Sequence, residues 1–350
     1  MRINQIQKIM QELDWLIVSN PKSIEYFSGD LYFCGERLLA LAIPKEGKAT
    51  LFINRMFPVN KKSDLDYVQF DDTEDSALIL AQYLLEGKVG VDHEFPSGFL
   101  LRMTSANWKL KFSLASDLIN RCRSIKDEVE QQYMRKSSLI NDAVMAKVRG
   151  LLKVGVSEVQ VQSQLASLFQ SEDPEAVSYG GIIAFGANAA DPHGVSGDRI
   201  LREGQSIVID MGCRYRGYCS DMTRTFFVGD DPMQDIYLTV LAANLAAIEA
   251  VKPGVRFCDI DKAARDVITA AGYGEYFTHR TGHGIGLEVH EPLDVSRSNQ
   301  AIVEPGMCFS IEPGIYIPDK GGVRIEDLVL VTKDGCEVLN HYPKDDEVIL

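Results

Sequence analysis

Two strand-like runs flank a short turn in residues 206–228, which read SIVIDMGCRYRGYCSDMTRTFFV. A two-residue turn at Tyr215 and Arg216 would place Asp210 directly opposite Asp221 on the two strands. Opposed side chains have Cβ atoms roughly 4.5–5.5 Å apart, and two like charges in that position destabilise a sheet. We therefore expect a positive group between the two carboxylates, either an arginine of the chain or a divalent metal chelated by both.

A second pair of acids occurs in residues 307–327, MCFSIEPGIYIPDKGGVRIED. A turn centred on Asp319 would place Glu312 opposite Glu326. Pro313 cannot donate a hydrogen bond to a neighbouring strand, so the strand is predicted to bend or end there. The two acids could be solvated, but the apolar residues beside them favour buried strands, where an unpaired charge is costly.

Four of the six histidines lie between residues 193 and 290. Residues 279–292, HRTGHGIGLEVHEP, place His283 among three glycines, which allow a ligand to approach the backbone closely. The glycines resemble a phosphate-binding loop, but no helix-forming run follows them, so that interpretation is weak. Any single histidine could simply be a hydrogen-bonded core residue. The further candidates are His193, His279 and His290.

The charges of the chain are unevenly distributed. The 350 residues contain 36 lysines and arginines against 50 aspartates and glutamates, a net charge of −14. Residues 1–126 hold 16 basic and 16 acidic residues, so residues 127–350 carry the whole excess. Nucleic acids and anionic membranes both need a basic surface, so neither is expected as a partner. Cations are the expected ligands.

The composition is that of an ordinary globular protein of roughly two domains, with 45% hydrophobic and 25% charged residues. No apolar run approaches the ~20 residues that span a bilayer, and the first residues lack a secretory signal, so a cytoplasmic location is predicted. The seven cysteines include no Cys-x-x-Cys pair. That spacing argues against both a disulfide framework and a thiolate zinc cage.

Alternating strand and helix patterns in the first region predict an α/β domain with a partly parallel sheet. The boundary is best placed in residues 121–127, which gives predicted domains of residues 1–123 and 124–350. Asp127 and Glu128 then open a long helix to about Leu152, with acids in its first turn as the helix dipole prefers. Further helices are predicted after Ser157 and over residues 234–251 and 259–271. Strand-rich stretches between them predict helices packed on a largely antiparallel sheet, an α+β arrangement.

Taken together, these motifs resemble the metal-dependent Xaa-Pro peptidases, a family that includes methionine aminopeptidase and creatinase. The resemblance spans about residues 125–339, with TGHGIGLEVHE around the histidines and SIEPG around one glutamate. Residues 26–29, YFSG, look like part of the creatinase-type amino-terminal domain of that family. The resemblance therefore implies a creatinase-like first domain and a "pita-bread" catalytic domain. It rests on the spaced set Asp210, Asp221, His283, Glu312 and Glu326.

The resemblance also implies two divalent metals, usually Mn²⁺, with Co²⁺ or Zn²⁺ able to substitute. Asp221, His283 and Glu312 would serve one metal and Asp210 the other, while the four carboxylates, including Glu326, are shared or bridging. One imidazole among carboxylate oxygens fits manganese better than zinc, which prefers nitrogen and sulfur.

The implied chemistry is hydrolysis of the bond before proline. A water bridging the two metals would supply a hydroxide nucleophile near neutral pH. The resemblance gives Glu312 a part in proton transfer. It places His193 and His290 in the pocket, where they stabilise the tetrahedral intermediate or position the substrate.

Three further residues concern specificity. Glu36 and Arg37 are similar to a loop of bacterial Xaa-Pro dipeptidases that reaches the partner subunit's active site in a homodimer; the alternative is two surface charges. Many relatives have Pro-Arg shortly after the second histidine motif, where this chain reads Pro292-Leu293-Asp294. If that arginine normally holds a substrate carboxylate, Arg324 is a candidate to replace it.

The expected activity is that of a Xaa-Pro dipeptidase acting on short proline-containing peptides. A Xaa-Pro aminopeptidase acting on longer peptides is the same-class alternative, and methionine aminopeptidase is disfavoured by the large first region. A non-hydrolytic creatinase-like or protein-binding relative is the alternative from another class. Such relatives tend to lose metal ligands, whereas all five are present here.

Overall fold

The computed structural model describes residues 2–344 and 348–349. It divides into two compact units, Met1–Arg123 and Ser124–Leu350. Within the described residues, no helix combines the length and the apolar character needed to cross a membrane.

The first unit is built from six strands and five helices. Its elements are α1 (Arg2–Ile9), β1 (Trp15–Val18), α2 (Pro21–Ser28), β2 (Ala40–Pro44), β3 (Ala49–Asn54), β4 (Leu65–Phe70), α3 (Ser76–Leu84), β5 (Gly87–Val91), α4 (Ser97–Ala106), β6 (Leu110–Leu114) and α5 (Ser116–Ser124).

One sheet with strand order β4-β3-β2-β1-β5-β6 forms the centre of this unit. Strands β1–β5, β3–β4 and β5–β6 pair in parallel, whereas β1–β2 and β2–β3 are antiparallel. The predicted α/β domain with a partly parallel sheet is therefore confirmed. The sequence patterns missed α1, β4 and α5, because β4 alternates irregularly between buried and exposed positions and the two helices are polar.

The second unit contains the remaining elements. They are α6 (Glu128–Arg149), α7 (Glu158–Gln162), α8 (Leu165–Glu172), β7 (Ala176–Phe185), a 3₁₀ turn (Gly186–Ala190), β8 (Gln205–Tyr215), β9 (Tyr218–Cys219), β10 (Met222–Val228), α9 (Gln234–Ala250), α10 (Phe257–Ala270), a second 3₁₀ turn (Gly274–Tyr276), β11 (Gly282–Gly284), β12 (Glu291–Val295), β13 (Cys308–Ile311), β14 (Gly314–Ile317), β15 (Gly321–Arg324), β16 (Asp327–Val331), β17 (Cys336–Val338) and β18 (Val348–Ile349).

Two five-stranded sheets and one hairpin carry the second unit. One sheet has the order β18-β10-β8-β7 with β9 beside β8, the other has the order β12-β11-β13-β16-β17, and β14 pairs with β15. Apart from the parallel β10–β18 pair, the pairings in this unit are antiparallel, as predicted. The side chain of Asp127 caps α6 together with Glu130 in a capping box. The single helix predicted after Ser157 is instead two short helices, α7 and α8.

The β8–β10 hairpin has a different register from the predicted one. Tyr215 pairs with Tyr218, so the turn residues are Arg216 and Gly217, both with positive φ (50° and 89°). Glycine favours this backbone, which is typical of the tight turns that join antiparallel strands. Asp210 therefore lies opposite Thr223, and the predicted direct pairing with Asp221 was wrong. A shift of two positions keeps both side chains on one face of the sheet.

The other acidic pair follows the predicted register. Ile311 pairs with Asp327 in β13–β16, and Gly314 pairs with Arg324 in β14–β15. Glu312 and Glu326 lie in the gap between the two ladders, at opposed positions. The strand ends before Pro313, as predicted, because proline has no N–H to donate.

Candidate metal centre

The second unit contains a cavity of about 730 Å³. It is lined by all seven residues of this unit predicted to bind metal or to act in catalysis. Arg324 lines it as well, together with several residues that the sequence did not single out. The predicted residues in its wall are Asp210, Asp221, His283, Glu312 and Glu326, with His193 and His290 beside them.

Neighbouring sheets bring the acids together. Asp210 lies within β8, and Asp221 directly precedes β10. The Thr223 hydroxyl, on β10, donates a 2.8 Å hydrogen bond to Glu326 Oε2, across a separation of 103 residues in the chain. Glu312 is held from behind, because its backbone N–H donates to the Thr281 carbonyl at 2.7 Å. Glu326 is thus held at its carboxylate, and Glu312 is held at its backbone.

Three of these side chains converge most closely. One potential ligand atom each from Asp221, His283 and Glu326 lies within 4.8 Å of the others, and all three residues are buried. Glu326 Oε1 is fully buried and has no hydrogen-bond partner in the described part of the chain. A buried carboxylate oxygen without a partner is costly, so this atom fits a position as the ligand of a cation.

His283 presents one ring nitrogen to this cluster. Its Nδ1 lies 3.0 Å from the Gly284 carbonyl oxygen, so the ring proton is on Nδ1 and the free lone pair is on Nε2. Nε2 lies 3.3 Å from Glu312 Oε1 and 3.9 Å from Asp221 Oδ2. Burial lowers the pKa of His283 to about 4, so the ring is neutral near pH 7. A neutral, oriented imidazole is the form that binds metals.

Burial and mutual repulsion perturb the carboxylates. Burial raises the pKa of Asp221 and of Glu326 well above the ordinary range, and neighbouring acids, Asp210 and Glu312 among them, add to both shifts. Burial also raises the pKa of Glu312. Each shift means that a carboxylate lacks compensating positive charge. Divalent cations among these oxygens would supply that charge, so the residues present fit a metal site.

Arg324 is occupied by protein groups. Its Nη2 donates to Asp210 Oδ2 at 2.7 Å, and its Nη1 donates to the Tyr316 hydroxyl at 2.9 Å and the Pro192 carbonyl at 3.3 Å. Its Nε donates to the Thr223 hydroxyl at 3.1 Å. Its charge is thus balanced by Asp210 and few of its N–H groups remain for a substrate. The substrate-binding role suggested for Arg324 stays a prediction.

Two tyrosines had no predicted role: Tyr179, which lines the cavity, and Tyr316, which contacts the lining residues Arg324 and His279. The Tyr316 hydroxyl accepts from Arg324 and lies 2.9 Å from His279 Nε2, which extends the contact chain from Asp210 to His279. The Tyr179 hydroxyl donates to the Ser220 carbonyl at 2.5 Å, next to Asp221. Strand alternation could not have identified Tyr316, because Pro313 separates the strand before Glu312 from the strand that contains Tyr316.

A glycine makes room for Tyr179. A Cβ at Gly212 would collide with both the Tyr179 hydroxyl and the Ser220 carbonyl oxygen. Gly212 lies between Asp210 and Arg214 on β8, where only a residue without a side chain leaves space for the tyrosine. This constraint depends on a contact between β7 and β8, so the sequence alone does not show it.

The two predicted pocket histidines are exposed at the cavity wall. The ring of His290 packs edge-on against that of His283, with 4.3 Å between centroids. His193 lies in the loop after β7, and its backbone N–H donates to Asp191 Oδ1 at 2.9 Å. Both residues line the cavity, and their catalytic roles stay predictions.

Glu36 and Arg37 lie in the first unit, in a turn before β2. Arg37 makes a two-pronged ion pair with Asp72, with both N–O distances at 2.8 Å, and also contacts Glu36 at 2.9 Å. Glu36 is 81% exposed. This turn is therefore held by Asp72, with the Glu36 carboxylate directed to solvent.

Comparison with known proteins agrees with these observations. The chain is 38% identical to an uncharacterized peptidase of Staphylococcus aureus over 353 aligned positions, which covers 98% of this chain and all of that protein. It superimposes on a dipeptidase from Pyrococcus horikoshii OT3 with a TM-score of 0.91 and 32% identity, over the full length of both chains. It superimposes on a Xaa-Pro dipeptidase from Bacillus anthracis with a TM-score of 0.89 and 30% identity, over 99% of each.

Two family descriptions also match, and together they cover most of the chain. Residues 2–125 match the creatinase/prolidase N-terminal domain, and residues 132–333 match metallopeptidase family M24. The resemblance inferred from the motifs, including its creatinase-like first domain and catalytic fold, is confirmed. The protein is a metallopeptidase that belongs to family M24.

Proposed function

We propose that this protein is a Xaa-Pro dipeptidase that uses two divalent metal ions, with Mn²⁺ as the expected metal. The observation that carries the proposal is the buried cluster of Asp221, His283 and Glu326, in which burial and neighbouring acids raise the pKa of both carboxylates beside a neutral imidazole. The dipeptidases with which the chain superimposes over nearly its whole length support the choice of substrate.

Asp221, His283 and Glu326 would hold one ion together with Glu312, whose Oε1 lies 3.3 Å from His283 Nε2, and Asp210 would bind the other ion. Bound metals of this kind lower the pKa of a coordinated water and polarise the peptide carbonyl. Four hard carboxylates and one imidazole fit Mn²⁺ better than Zn²⁺. Co²⁺ and Zn²⁺ are the substitutes to compare.

The protein's own groups then bind and orient the substrate. The raised pKa of Glu312 suits a carboxylate that accepts and returns a proton at Oε1, where the Ser310 hydroxyl already donates at 3.2 Å. Ring N–H groups of His193 and His290, at the exposed wall, would donate to the carbonyl oxygen as negative charge develops on it. Arg324 orients the Asp210 carboxylate through their 2.7 Å contact.

The remaining parts of the proposal concern the setting of the enzyme. We infer a homodimer in which the turn containing Glu36 and Arg37 approaches the partner's cavity, and a cytoplasmic location. Short proline-containing peptides are the proposed substrates, and closure of the cavity by a second subunit would favour dipeptides over longer chains.

The deciding experiment compares the hydrolysis of Leu-Pro, Leu-Pro-Pro and Met-Ala by purified protein with added Mn²⁺. Rapid cleavage of Leu-Pro alone is the expected result. Equal cleavage of Leu-Pro-Pro would replace the dipeptidase proposal by an aminopeptidase, and cleavage of Met-Ala alone would indicate a methionine aminopeptidase. A lack of hydrolysis by metal-loaded protein would leave the creatinase-like or protein-binding alternative.

Site-directed variants test the metal ligands separately from activity. Asp221→Asn and Glu326→Gln should each lose hydrolysis by at least ~100-fold together with bound metal, measured by elemental analysis after desalting. Asp334→Asn is the matched control, because Asp334 is 81% exposed and contacts only a surface lysine among the described residues. Full metal content and activity in Asp221→Asn would refute the assignment.

A further inference from the structure

Three arginines line the cavity: Arg214, Arg280 and Arg324. Two of them have acidic partners, since Arg324 pairs with Asp210 and Arg280 pairs with Asp294. Arg214 differs from both, because no acid among the described residues forms an ion pair with it. The cavity therefore contains one arginine whose charge is left for something other than the protein.

The surroundings of Arg214 show the same lack of partners. Its Nε is fully buried and makes no hydrogen bond within the described residues. Its guanidinium carbon lies 5.4 Å from the centre of the Tyr179 ring, which provides a flat surface that orients the group without using its N–H donors. A guanidinium has five N–H donors in a planar fork that matches a carboxylate. A buried donor without a partner normally carries a cost in stability.

Strand geometry places this arginine on the same side as the metal ligands. Side chains alternate along a strand, so Asp210, Gly212 and Arg214 share one face of β8. Four residues of strand separate the α carbons of Asp210 and Arg214 by roughly 13 Å. The space above Gly212 is filled by Tyr179, which contributes to the same cavity wall. Arg214 and the acidic cluster line the same cavity, so a peptide bound at the cluster shares that cavity with Arg214.

We propose that Arg214 binds a carboxylate of the peptide substrate and makes the enzyme prefer substrates that carry one there. This inference rests on the proposed peptidase function and adds a substrate contact to it. Arg324, already paired with Asp210, is less available for this task.

The carboxylate that Arg214 would bind can belong to either of two parts of a substrate. It can be the α-carboxylate of the terminal proline, or the side chain of an acidic residue before the proline. The two sources are separated by matched substrates in which only one carboxylate is replaced by its amide. Leu-Pro against Leu-Pro-amide tests the α-carboxylate, and Glu-Pro against Gln-Pro tests the side chain.

The test measures kcat and KM for these four substrates with Mn²⁺-loaded wild-type protein and the variants Arg214→Met and Arg214→Lys. Wild type should prefer the carboxylate member of one pair by about 10- to 100-fold, the range expected for a charge-assisted hydrogen bond. Arg214→Met should abolish that preference, mainly through a higher KM, and Arg214→Lys should restore part of it. Arg216→Met is the control, because Arg216 lies in the exposed turn and pairs with Glu175.

The outcomes are distinguishable from failure of the proposed function. Hydrolysis of Xaa-Pro peptides with no preference within either pair would overturn the inference while leaving the dipeptidase proposal intact. An unchanged preference in Arg214→Met, with metal content and melting temperature equal to wild type, would also overturn it. Absence of all Xaa-Pro hydrolysis in wild type would instead refute the proposed function on which the inference depends.

Discussion

A buried glutamate outside the cavity provides the most direct test of how the structure positions the site. Glu158 is completely buried at the start of α7. Its Oε1 accepts from the Phe185 N–H at 2.8 Å and the Asn188 side-chain amide at 2.9 Å. Its Oε2 accepts from the Gly197 N–H at 2.9 Å and from Arg199 at 3.3 Å. These donors bracket the loop that contains His193.

Glu158→Gln keeps the shape of this side chain but replaces one acceptor oxygen by an amide donor. One pair of donors keeps its partner, while the other pair then faces an N–H₂ group. Each buried donor left without an acceptor costs about 1–3 kcal/mol. Arg199 is 56% exposed and can donate to water instead, so its lost contact adds only part of this cost. The backbone N–H that loses its acceptor adds the full cost. We expect the free energy of unfolding to fall by about 3 kcal/mol.

The same substitution should weaken catalysis without removing metal. Pro192 and His193 belong to the loop that Glu158 holds, whereas Asp221 and His283 do not. A displaced loop should lower kcat/KM for Leu-Pro by roughly 10- to 100-fold, with unchanged metal content. Urea denaturation and steady-state kinetics measure the two effects.

Glu175→Gln is the matched control for this prediction, because Glu175 is half exposed and forms a surface ion pair with Arg216. It should change stability by less than about 1 kcal/mol. Wild-type stability in Glu158→Gln would refute the hydrogen-bond argument. Lower stability with unchanged kcat/KM would refute only the link between Glu158 and the catalytic loop.

Two further perturbations test the buried charges. The pKa of Glu326 is raised in the folded protein, so the stability that its protonated form gives the metal-free protein at low pH is lost as pH rises. In urea titrations, metal-free Glu326→Gln should therefore gain stability relative to wild type between pH 5 and pH 8. An equal difference between variant and wild type at both pH values would contradict this. Lys126 and Glu291 form a buried ion pair at 3.0 Å, so Lys126→Met should lower the free energy of unfolding by about 3–5 kcal/mol. Combining Lys126→Met with Glu291→Gln should recover part of that loss. Lys333→Met, at an exposed lysine, should leave the free energy of unfolding almost unchanged. Equal stability of the single and double variants would show that the lost pairing is not the cause.

Local patterns in the sequence predicted much of the strand pairing around the site. The spacing of residues around Asp319 predicted the opposed positions of Glu312 and Glu326, because a hairpin with a defined turn fixes the register of both strands. The hairpin after Asp210 was displaced by two positions, since Gly217 takes the turn conformation that Tyr215 was expected to share. The predicted face of the sheet was still correct for both acids, because a shift of two residues leaves the alternation of side chains unchanged.

Contacts between elements that are far apart in the chain could not be predicted from local sequence patterns. The side chains of Asp221, His283 and Glu326 come from different segments, and their convergence depends on how the two sheets pack. The collision that a Cβ at Gly212 would cause likewise depends on Tyr179 from a neighbouring strand. Such distances are set by packing of groups far apart in the chain, which periodicity does not encode.

The sequence by itself determined which chemical groups the centre contains: four carboxylates and a histidine, in a segment that carries the whole net negative charge. Only the tertiary structure decided how their charges are balanced. In the structure, Arg324 pairs with Asp210. Among the described residues, Glu326 Oε1 has no hydrogen-bond partner and Arg214 forms no ion pair with an acid. The physical reason is that residue type and strand alternation fix the identity and face of a group, whereas burial and pairing depend on distances across the folded protein.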